Sequence, residues 1–395
     1  MIPRKKLDIG WADLACGLCA CFGVAKCDDA QDRLERFWSP AGNALACLSV
    51  RSGFDLLLQH LALPRGSEIL MSAITIRDMA GIVEQHGLTA VPVDLARDSC
   101  AVQPQTLERA ITENTKAIVI AHLFGSRAVM DGIVDIAQRH GLFLFEDCAQ
   151  AFAADGYRGH PGSDVVMFSF GTIKTATAGG GALFRFRETA LCRAIAGMQC
   201  RYPLQRRGEF IYKLLKIATL KALLYRLPYT LFVLLCRAVG KNHDRVISNA
   251  VRGFPGDKLM RKLRHQPPAA MLVLLERRLR NFSPALLAWR KAAATRLLAL
   301  LPPQFHVGAR AELHSHWVFP ILSQNPDLLV RHLWQRGFDA TRGASSLIVV
   351  TGDRSIAAEA SNLINHIVYL PFETCDTDAE LQRLAHAIVQ FARAG

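Results

Sequence analysis

The stretch KAIVIAHLFGSRAVMDGIVDIAQRHGLFLFED, residues 116–147, contains two apolar segments on either side of an amphipathic one. Residues 116–124 and 142–146 are predicted strands, because each is apolar almost throughout and would be covered on both faces. Between them, residues 129–141 place apolar side chains on one face and stop at Gly141, which is typical of a helix. This order predicts a parallel sheet with helices packed on its faces.

The same alternation continues on both sides of this unit. The predicted helices are 54–63, 79–87 and 104–112, and the predicted strands are 67–74, 89–95, 164–170 and 181–186. An α/β domain with a large, mostly parallel sheet follows from this pattern. In such sheets ligands bind beyond the carboxyl ends of the strands, and Asp147 and Ser169 both come at such an end.

The rest of the chain predicts two further parts. Residues 267–301 form a predicted long helix, and residues 313–395 alternate strands and helices in a small α+β pattern. We therefore expect a large domain over 1–200, a basic, apolar helical insertion over 201–265, and a third part over 266–395. The third part consists of the long helix and a smaller C-terminal α+β domain.

The positive charge of the chain is concentrated in residues 201–265. This segment has 15 Lys and Arg and 3 Asp and Glu, in a chain whose total net charge is +13. Its longest apolar run, YTLFVLLC (229–236), is far shorter than the ~20 residues that cross a bilayer. A basic, apolar segment that does not span the bilayer is typical of peripheral contact with an anionic membrane.

The alternative interpretation of residues 201–265 is a helical cap or dimer contact whose Lys and Arg lie in solvent. Nucleic-acid binding is not expected, because no known nucleic-acid recognition motif accompanies the positive charge.

The cysteines favour a reducing compartment and a cytoplasmic location, because there are 11 of them, scattered along the chain. Four lie close together near the start: Cys16, Cys19, Cys21 and Cys27. Their spacing fits no zinc template well, so we predict no metal site and expect a helix of small, half-buried residues. Three basic residues precede this apolar run, but Asp8 and Asp13 interrupt it, which argues against a secretory signal.

Glu146 and Asp147 form an acidic pair at the end of a buried strand. A buried carboxylate is costly unless a cation meets it. Downstream, in MFSFGTIKTATAGGG (167–181), Lys174 follows a strand and a short turn and precedes three glycines. A lysine in an apolar pocket can form a Schiff base, and glycines let the backbone approach a flat ring or a phosphate. Taken alone, a lysine near glycines is more typical of a surface loop.

Pyridoxal 5'-phosphate needs a lysine, a carboxylate for its ring nitrogen and a cup for its phosphate. Lys174 and Asp147 can supply the first two, and the protonated ring would be the cation that Asp147 needs. A helix N-terminus is the expected phosphate cup. The sequence VRSGFDLLL (50–58) offers one, with Ser52 as the predicted cap and backbone amides at Gly53 and Phe54.

These motifs together resemble the core of the DegT/DnrJ/EryC1/StrS family, the sugar aminotransferases of fold type I that use pyridoxal phosphate. The matching elements are HLFG (122–125), EDCAQ (146–150), YRG (157–159), and SF (169–170) with Lys174. Similarity extends from residues 2–10 to residues 368–381. The resemblance implies the fold-type I architecture, in which a large, mixed and mostly parallel sheet domain is accompanied by a smaller C-terminal domain.

The resemblance also implies a function. It suggests a homodimeric aminotransferase with a shared active site that moves an amino group, from glutamate, onto a nucleotide-linked keto-sugar. Such reactions serve cell-surface polysaccharide or secondary-metabolite biosynthesis. Lys174 would form the Schiff base and carry the proton, Asp147 would pair with the ring nitrogen, and Gln150 would bind the phenolic oxygen side. Ser169 and the amides of Gly53 and Phe54 would hold the phosphate. The lysine argues against the family's dehydratase branch, which has histidine there.

Three positions depart from the family pattern. Ile76 stands where an aromatic residue usually covers the cofactor ring, and Phe54 removes a hydroxyl from the phosphate loop. The element by which the neighbouring subunit reaches the phosphate has no clear match, although Arg264 or His265 are candidates. Two alternatives therefore stay open. One is an aminotransferase for a lipid-like or lipid-linked carbonyl substrate at the membrane surface, and the other is a non-catalytic sensor or partner that binds pyridoxal phosphate.

Overall fold

The computed structural model describes residues 1–23, 26–251, 259–343, 347–352 and 357–394. The helices are α1 (Trp11–Phe22), α2 (Cys27–Trp38), α3 (Val50–Leu61), α4 (Arg77–Gln85), α5 (Pro104–Ala110), α6 (Asp131–Arg139), α7 (Thr189–Gln199), α8 (Arg207–Leu223), α9 (Arg226–Ala238), α10 (His243–Val251), α11 (Leu259–Leu263), α12 (Ala269–Arg280), α13 (Ala285–Leu300), α14 (Pro326–Gln335), α15 (Ala358–His366) and α16 (Asp378–Ala394). Short 3-10 helices cover Pro303–Phe305 and Phe372–Thr374.

The strands are β1 (Ala44–Cys47), β2 (Glu68–Ser72), β3 (Ile74–Ile76), β4 (Thr89–Val93), β5 (Leu95–Ala96), β6 (Ala101–Val102), β7 (Thr115–Ala121), β8 (Ser126–Arg127), β9 (Phe143–Asp147), β10 (Val165–Ser169), β11 (Ala182–Phe186), β12 (Leu313–His314), β13 (Phe319–Leu322), β14 (Leu347–Val349) and β15 (Ile367–Leu370). Each strand that the sequence predicted for the large domain has a counterpart here, with bounds shifted by one to three residues at most ends.

The central sheet has the order β1-β11-β10-β9-β7-β2-β4 in the described part of the chain. Strand β11 runs antiparallel to both of its neighbours, whereas the pairs from β10 to β4 are parallel. Asp147 lies opposite Ala121 of β7 and Met167 of β10, so the carboxyl ends of these three strands meet at one edge. The mixed, mostly parallel sheet expected from the sequence is confirmed.

Helices cover both faces of this sheet. Because successive side chains of a strand point to opposite faces, Phe145 packs with α3, α4 and α7, while Leu144 packs with α5 and α6. Helices α1, α2 and α12 cover the β10–β11 end of the second face. The continuous apolar runs in the sequence are thereby explained, since a strand covered on both sides has no solvent face.

Helix α3 begins at Val50, four residues earlier than predicted. The side chain of Ser49 accepts a hydrogen bond from the amide of Ser52 at 3.1 Å, so Ser49 is the N-cap. The prediction of Ser52 as the cap is therefore wrong. Two serines precede the apolar run, and the sequence pattern did not distinguish between them.

Two other predicted elements are divided in the structure. The predicted strand 67–74 ends in the sheet at Ser72, and β3 leaves it to pair with β14. The predicted long helix 267–301 is two helices, α12 and α13, because the chain turns at 281–284 before α13 begins after Pro284. Proline lacks the amide that a helix interior requires.

The segment 201–265 is helical where it is described, and its residues 252–258 lie outside the described residues. Helix α8 buries Phe210, Leu214 and Ile217 against the large domain and contacts α1 and α12. In the described part of the chain, no helix is by itself long and apolar enough to cross a membrane. Helices α8 and α9 meet the length and composition criteria only as a pair, with a 92° bend between them.

The C-terminal part is an α+β unit, as predicted. Strands β13 and β15 pair, and helices α13, α14 and α16 pack around them in one apolar cluster. The first residues of the chain reach this part, since Ile2 pairs with Phe338 and Arg4 forms an ion pair with Asp339 at 2.7 Å. The three-part division at residues 200 and 265 stays a prediction.

Candidate active site

Glu146 is fully buried and anchors the loops at the carboxyl edge of the sheet. Its carboxylate accepts hydrogen bonds from His122 Nε2 at 2.9 Å, from the His160 amide at 2.8 Å and from Ser163 Oγ at 2.8 Å, and a further one from Tyr157. Burial alone would raise its pKa, but these donors lower the pKa to about 2. Glu146 is thus a charged group fully engaged by the protein, and it has a structural role.

Asp147 lies beside it but faces the other side of the strand. One carboxylate oxygen accepts a hydrogen bond from the Ala149 amide at 2.9 Å. Burial raises the pKa of Asp147, and neither the Ala149 amide nor the positive charge of Lys174 fully compensates. A cationic ring nitrogen would supply the missing partner. The acidic pair therefore divides into a structural carboxylate and one available to a ligand.

Lys174 follows β10 in the turn that precedes the glycine run. Its Nζ lies 4.1 Å from the centroid of the Trp317 ring. Burial lowers the pKa of Lys174 to about 8; the charge of Asp147 opposes this shift and that of Arg51 adds to it. A lysine with such a pKa is partly neutral near physiological pH, which nucleophilic attack on a carbonyl group requires.

Trp317 is held rigidly in this position. Its indole N–H donates to the Ile173 carbonyl at 2.9 Å, and Lys5 donates to the Trp317 carbonyl at 3.0 Å. Lys5 also lies 4.2 Å from the same ring, and burial lowers its pKa to about 7. The sequence analysis did not single out Trp317 or Lys5, because they belong to the two ends of the chain.

Gln150 lies after the Asp147 strand and fixes the neighbouring turn. Its side-chain oxygen accepts from the Phe124 amide at 2.8 Å, at a point where Phe124 and Gly125 both have positive φ. No described residue accepts a hydrogen bond from the Gln150 side-chain NH2. That group can therefore donate to a ligand oxygen, which is the role implied by the resemblance.

Ser169 and the glycine run border the same space as Lys174. A Cβ on Gly171 would lie 3.8 Å from Ser169 Oγ and 4.0 Å from Lys174 Cγ, so both side chains flank one turn. Gly179 and Gly181 have φ of 74° and 90°, a backbone conformation that favours glycine. The Gly181 amide donates to the Leu48 carbonyl at 3.0 Å and ties this loop to the start of α3.

The predicted phosphate loop is present, but its residues act differently from the prediction. The Gly53 amide donates to the Ser49 carbonyl at 3.2 Å inside the helix, so it is not a free donor. A Cβ on Gly53 would lie 2.2 Å from the Phe184 ring, so the glycine allows close packing. Phe54 is fully buried against Phe145, where no hydroxyl is needed.

The remaining candidates are Ile76, Arg264 and His265. Ile76 ends β3 opposite Leu347 and is partly buried. Arg264 donates two hydrogen bonds to Asp55, at 2.9 and 3.2 Å, so its charge is already neutralised within the chain. The Nδ1 atom of His265 is buried without a hydrogen-bond partner in the described part of the chain. A phosphate-binding role for Arg264 or His265 stays a prediction.

Cys16, Cys19 and Cys21 lie in α1, and Cys27 begins α2. Cys16 and Cys27 are half-buried as expected, whereas Cys21 is buried and Cys19 is exposed. Cys21 donates to the Gly17 carbonyl and Cys27 to the Pro267 carbonyl. Within the described ranges, the four sulfurs do not form one ligand group. All 11 cysteines of the chain are free thiols.

A mostly apolar cavity lies on the other side of the Lys174 turn. Ile173 and Trp317, the neighbours of Lys174, form one wall. Leu224 and Ile247, from the basic segment, line it as well, together with Lys5 and Thr341. The segment 201–265 therefore contributes to the walls of a space next to the candidate catalytic lysine.

The fold is that of the fold-type I aminotransferases. The chain superposes over its whole length on the aminotransferase TlmJ from Streptoalloteichus hindustanus, with a TM-score of 0.73, 16% identity and 99% of that chain covered. It also superposes on S. venezuelae DesV, solved in complex with a ketimine intermediate, with a TM-score of 0.71 and 20% identity. That match covers 96% of this chain and 94% of the other. At these identities the likeness shows the fold alone.

A sequence comparison finds a match to one family. Residues 29–207, which carry Asp147 and Lys174, match the model of the DegT/DnrJ/EryC1/StrS aminotransferase family. A putative L-glutamine:3-amino-2,3-dideoxy-scyllo-inosose aminotransferase from Micromonospora echinospora is 37% identical over 175 residues. That match spans 42% of this chain and only 41% of the relative's length. The resemblance seen in the sequence motifs is confirmed.

The residues present fit pyridoxal phosphate. Asp147 has a raised pKa and needs a cation, and the Gln150 NH2 needs an acceptor. Lys174 is a buried amine with a lowered pKa, and the glycine loop lies beside the N-terminus of a 12-residue helix. Each of these features has a counterpart in the cofactor, which has a ring nitrogen, a phenolic oxygen, an aldehyde and a phosphate.

Proposed function

We propose that this protein is a pyridoxal phosphate-dependent aminotransferase. The observation that carries the proposal is the convergence of Lys174 and Asp147 at one sheet edge, within the region that matches an aminotransferase family. When bound, the cofactor supplies an electron sink that stabilises negative charge at the substrate carbon. The protein supplies the groups that hold the cofactor and move protons.

Each site residue has a defined task in this proposal. Asp147 keeps the ring nitrogen protonated, since its carboxylate is stabilised only when a positive charge lies beside it. Gln150 donates its free NH2 to the phenolic oxygen. The Lys174 amine removes and returns the proton at the reacting carbon, and a pKa near 8 suits both directions of transfer. Trp317 limits the movement of that amine.

The proposed acceptor is a keto-sugar linked to a nucleotide, and the proposed donor is an amino acid. The relative named above supports an amino-acid donor and a cyclic keto acceptor, since its name gives glutamine and an inosose. The nucleotide link rests on the family resemblance alone. Glutamate, expected from the sequence, and glutamine are both candidates. We also propose a homodimer with a shared active site and a cytoplasmic location, as the family resemblance and the free thiols suggest.

A second candidate keeps the reaction and changes the acceptor to a lipid-like or lipid-linked carbonyl compound. Two observations favour it. The cavity beside Ile173 and Trp317 is mostly apolar and is lined by the basic segment. The same segment exposes large apolar side chains on α8 and α9, with exposed fractions of 70% for Tyr212, 75% for Leu227 and 66% for Leu235. Peripheral contact with the inner face of a membrane would cover them.

Turnover measurements test the proposal. The purified protein is incubated with glutamate or glutamine and a panel of nucleotide-linked keto-sugars and lipid-linked ketones, and the aminated product is identified by mass spectrometry. We expect turnover with one class of acceptor and none by Lys174→Ala. Turnover retained by Lys174→Ala would contradict the mechanism. Cofactor binding without turnover on any acceptor would favour the sensor or partner alternative.

A further inference from the structure

Helix α8 places a lysine against the glycine loop of the active site. A Cβ on Gly179 would lie 2.8 Å from Ile217 of α8, and a Cβ on Gly180 would lie 3.0 Å from Lys213 Nζ. The Lys213 amine therefore lies next to the Gly180 backbone, which has no side chain to separate them. Met271 of α12 approaches the same point, also at 3.0 Å, and fixes the position of the loop.

The glycine loop beside this lysine adjoins the N-terminus of α3. The Gly181 amide donates to the carbonyl of Leu48, the residue before the Ser49 cap, so the glycine loop and the helix start are adjacent. Arg51 lies in the first turn of α3. Its charge lowers the pKa of both Lys174 and Lys213, so Arg51 lies near both amines.

The charges around these two amines do not balance. Arg51 is paired with Asp78, and Asp147 acts on Lys174. No described acidic group forms an ion pair or hydrogen bond with Lys213, which is partly buried, and burial lowers its pKa to about 8. The positive end of the α3 dipole adds to this excess. An anion of the size of a phosphate group would complete the arrangement.

We propose that Lys213, from the basic segment of the same chain, binds the phosphate group of the cofactor opposite the N-terminus of α3. This inference rests on the proposed function, because it names a residue that holds its cofactor. It assigns a task to the segment 201–265, which closes the phosphate side of the site from within the chain. It does not require Arg264, which is paired with Asp55.

Binding of two aldehydes that differ only by the phosphate tests this proposal. Dissociation constants for pyridoxal 5'-phosphate and for pyridoxal are measured by absorbance titration with the cofactor-free protein. In Lys213→Met, which keeps the apolar stem, we expect pyridoxal phosphate to bind roughly 10- to 100-fold more weakly, because one charge-assisted contact is lost. Pyridoxal should bind as it does to the wild type. Lys213→Arg should restore most of the affinity for pyridoxal phosphate.

Lys221→Met is the matched control, since it removes the same charge from the same helix about two turns away. Its affinity for both aldehydes should be close to that of the wild type. Equal affinities of Lys213→Met and wild type for pyridoxal phosphate would overturn the inference and leave the proposed function intact. A parallel loss of both aldehydes, or the same loss in Lys221→Met, would also overturn it. Failure of the wild type to bind either aldehyde would overturn the proposed function itself.

Discussion

The amino group of Lys174 lies 4.1 Å from the centroid of the Trp317 ring, in a buried setting that lowers its pKa to about 8. Contact with an aromatic face favours the charged amine, whereas burial favours the neutral one. The lowered pKa shows that burial and the nearby charge of Arg51 outweigh the contribution of Asp147. A lysine in this balance can serve as a nucleophile and as a proton carrier near neutral pH.

The first prediction concerns the titration of Lys174. In the cofactor-free protein, the rate at which Lys174 reacts with pyridoxal should rise with pH and reach half its maximum near pH 8, since only the neutral amine attacks. Arg51→Gln removes a positive charge that lowers the pKa, so its midpoint should move to higher pH. Arg109→Gln, an exposed control, should leave the midpoint in place. A wild-type midpoint at or above pH 10 would contradict the burial effect.

The second prediction concerns Asp147. In Asp147→Asn the neutral amide no longer stabilises a protonated ring nitrogen, so turnover should fall by about 10²- to 10³-fold while cofactor still binds. The half-reaction with the amino donor, followed by visible absorbance, measures this loss. Asp164→Asn is the control, because Asp164 lies just before β10, bonded to the Leu144 amide and paired with Arg187. Turnover by Asp147→Asn within a few fold of wild type would refute the role of Asp147.

The third prediction concerns stability at low pH. The pKa of Glu146 is about 2 in the folded protein and 4.5 as its ordinary value, so its ionised form stabilises the fold above pH 4.5. This contribution is lost as the pH falls from about 4.5 towards 2. Glu146→Gln should reduce the free energy of unfolding by about 3–5 kcal/mol at pH 7, because buried donors lose their charged acceptor.

Urea unfolding between pH 3 and 7 measures this effect. The free energy of unfolding of Glu146→Gln should depend less on pH than that of the wild type. The exposed control Glu312→Gln should unfold like the wild type at every pH. A pH dependence of Glu146→Gln as steep as that of the wild type would show that Glu146 is not the titrating group.

The fourth prediction concerns Gly53. A Cβ at this position would lie 2.2 Å from the Phe184 ring, so Gly53→Ala should destabilise the protein by about 1–3 kcal/mol and displace the start of α3. Gly81→Ala is a matched control in α4, where no atom lies within 4 Å of the added methyl group. It should be neutral or stabilise by roughly 0.4–1 kcal/mol. Equal effects of the two substitutions in thermal unfolding would rule out this packing explanation.

The fifth prediction concerns the exposed apolar side chains of α9. If they contact a membrane, the protein should sediment with vesicles that contain anionic lipid, less so at high salt. Leu227→Asp with Leu235→Asp should weaken this binding at least about tenfold, because two apolar side chains are lost from the interface. Leu328→Asp makes the same kind of substitution at a 53% exposed position on α14, and it should leave vesicle binding unchanged. Equal sedimentation of all three proteins would exclude this surface.

The sheet could be predicted from the sequence because its strands are continuous apolar runs. Residues 116–124 and 142–146 have no polar alternation, and the structure buries nearly all of them between two helical layers. The start of α3 could not be predicted, since Ser49 and Ser52 are both acceptable caps and no local pattern in the sequence separates them. The division of 267–301 into two helices was not predicted either, because it results from the turn at 281–284.

The site was predictable only in the part that one continuous stretch encodes. Asp147, Gln150 and Lys174 lie within 30 residues of one another and follow predicted strands, so strand topology alone brings them together. Trp317 and Lys5 reach Lys174 from the two ends of the chain, and Lys213 reaches Gly180 from a basic segment with many lysines and arginines. No local pattern distinguishes such residues from solvated ones, because their significance comes from long-range packing.

The most direct measurement is an absorption spectrum of the purified protein with pyridoxal phosphate, followed by borohydride reduction and peptide mapping. We predict a visible band that borohydride removes and a pyridoxyl group attached to the peptide that contains Lys174. The Lys174→Ala variant should show neither the band nor the label. Absence of the band with added cofactor, or attachment of the label to Lys5 or another lysine, would contradict the assignment of this site.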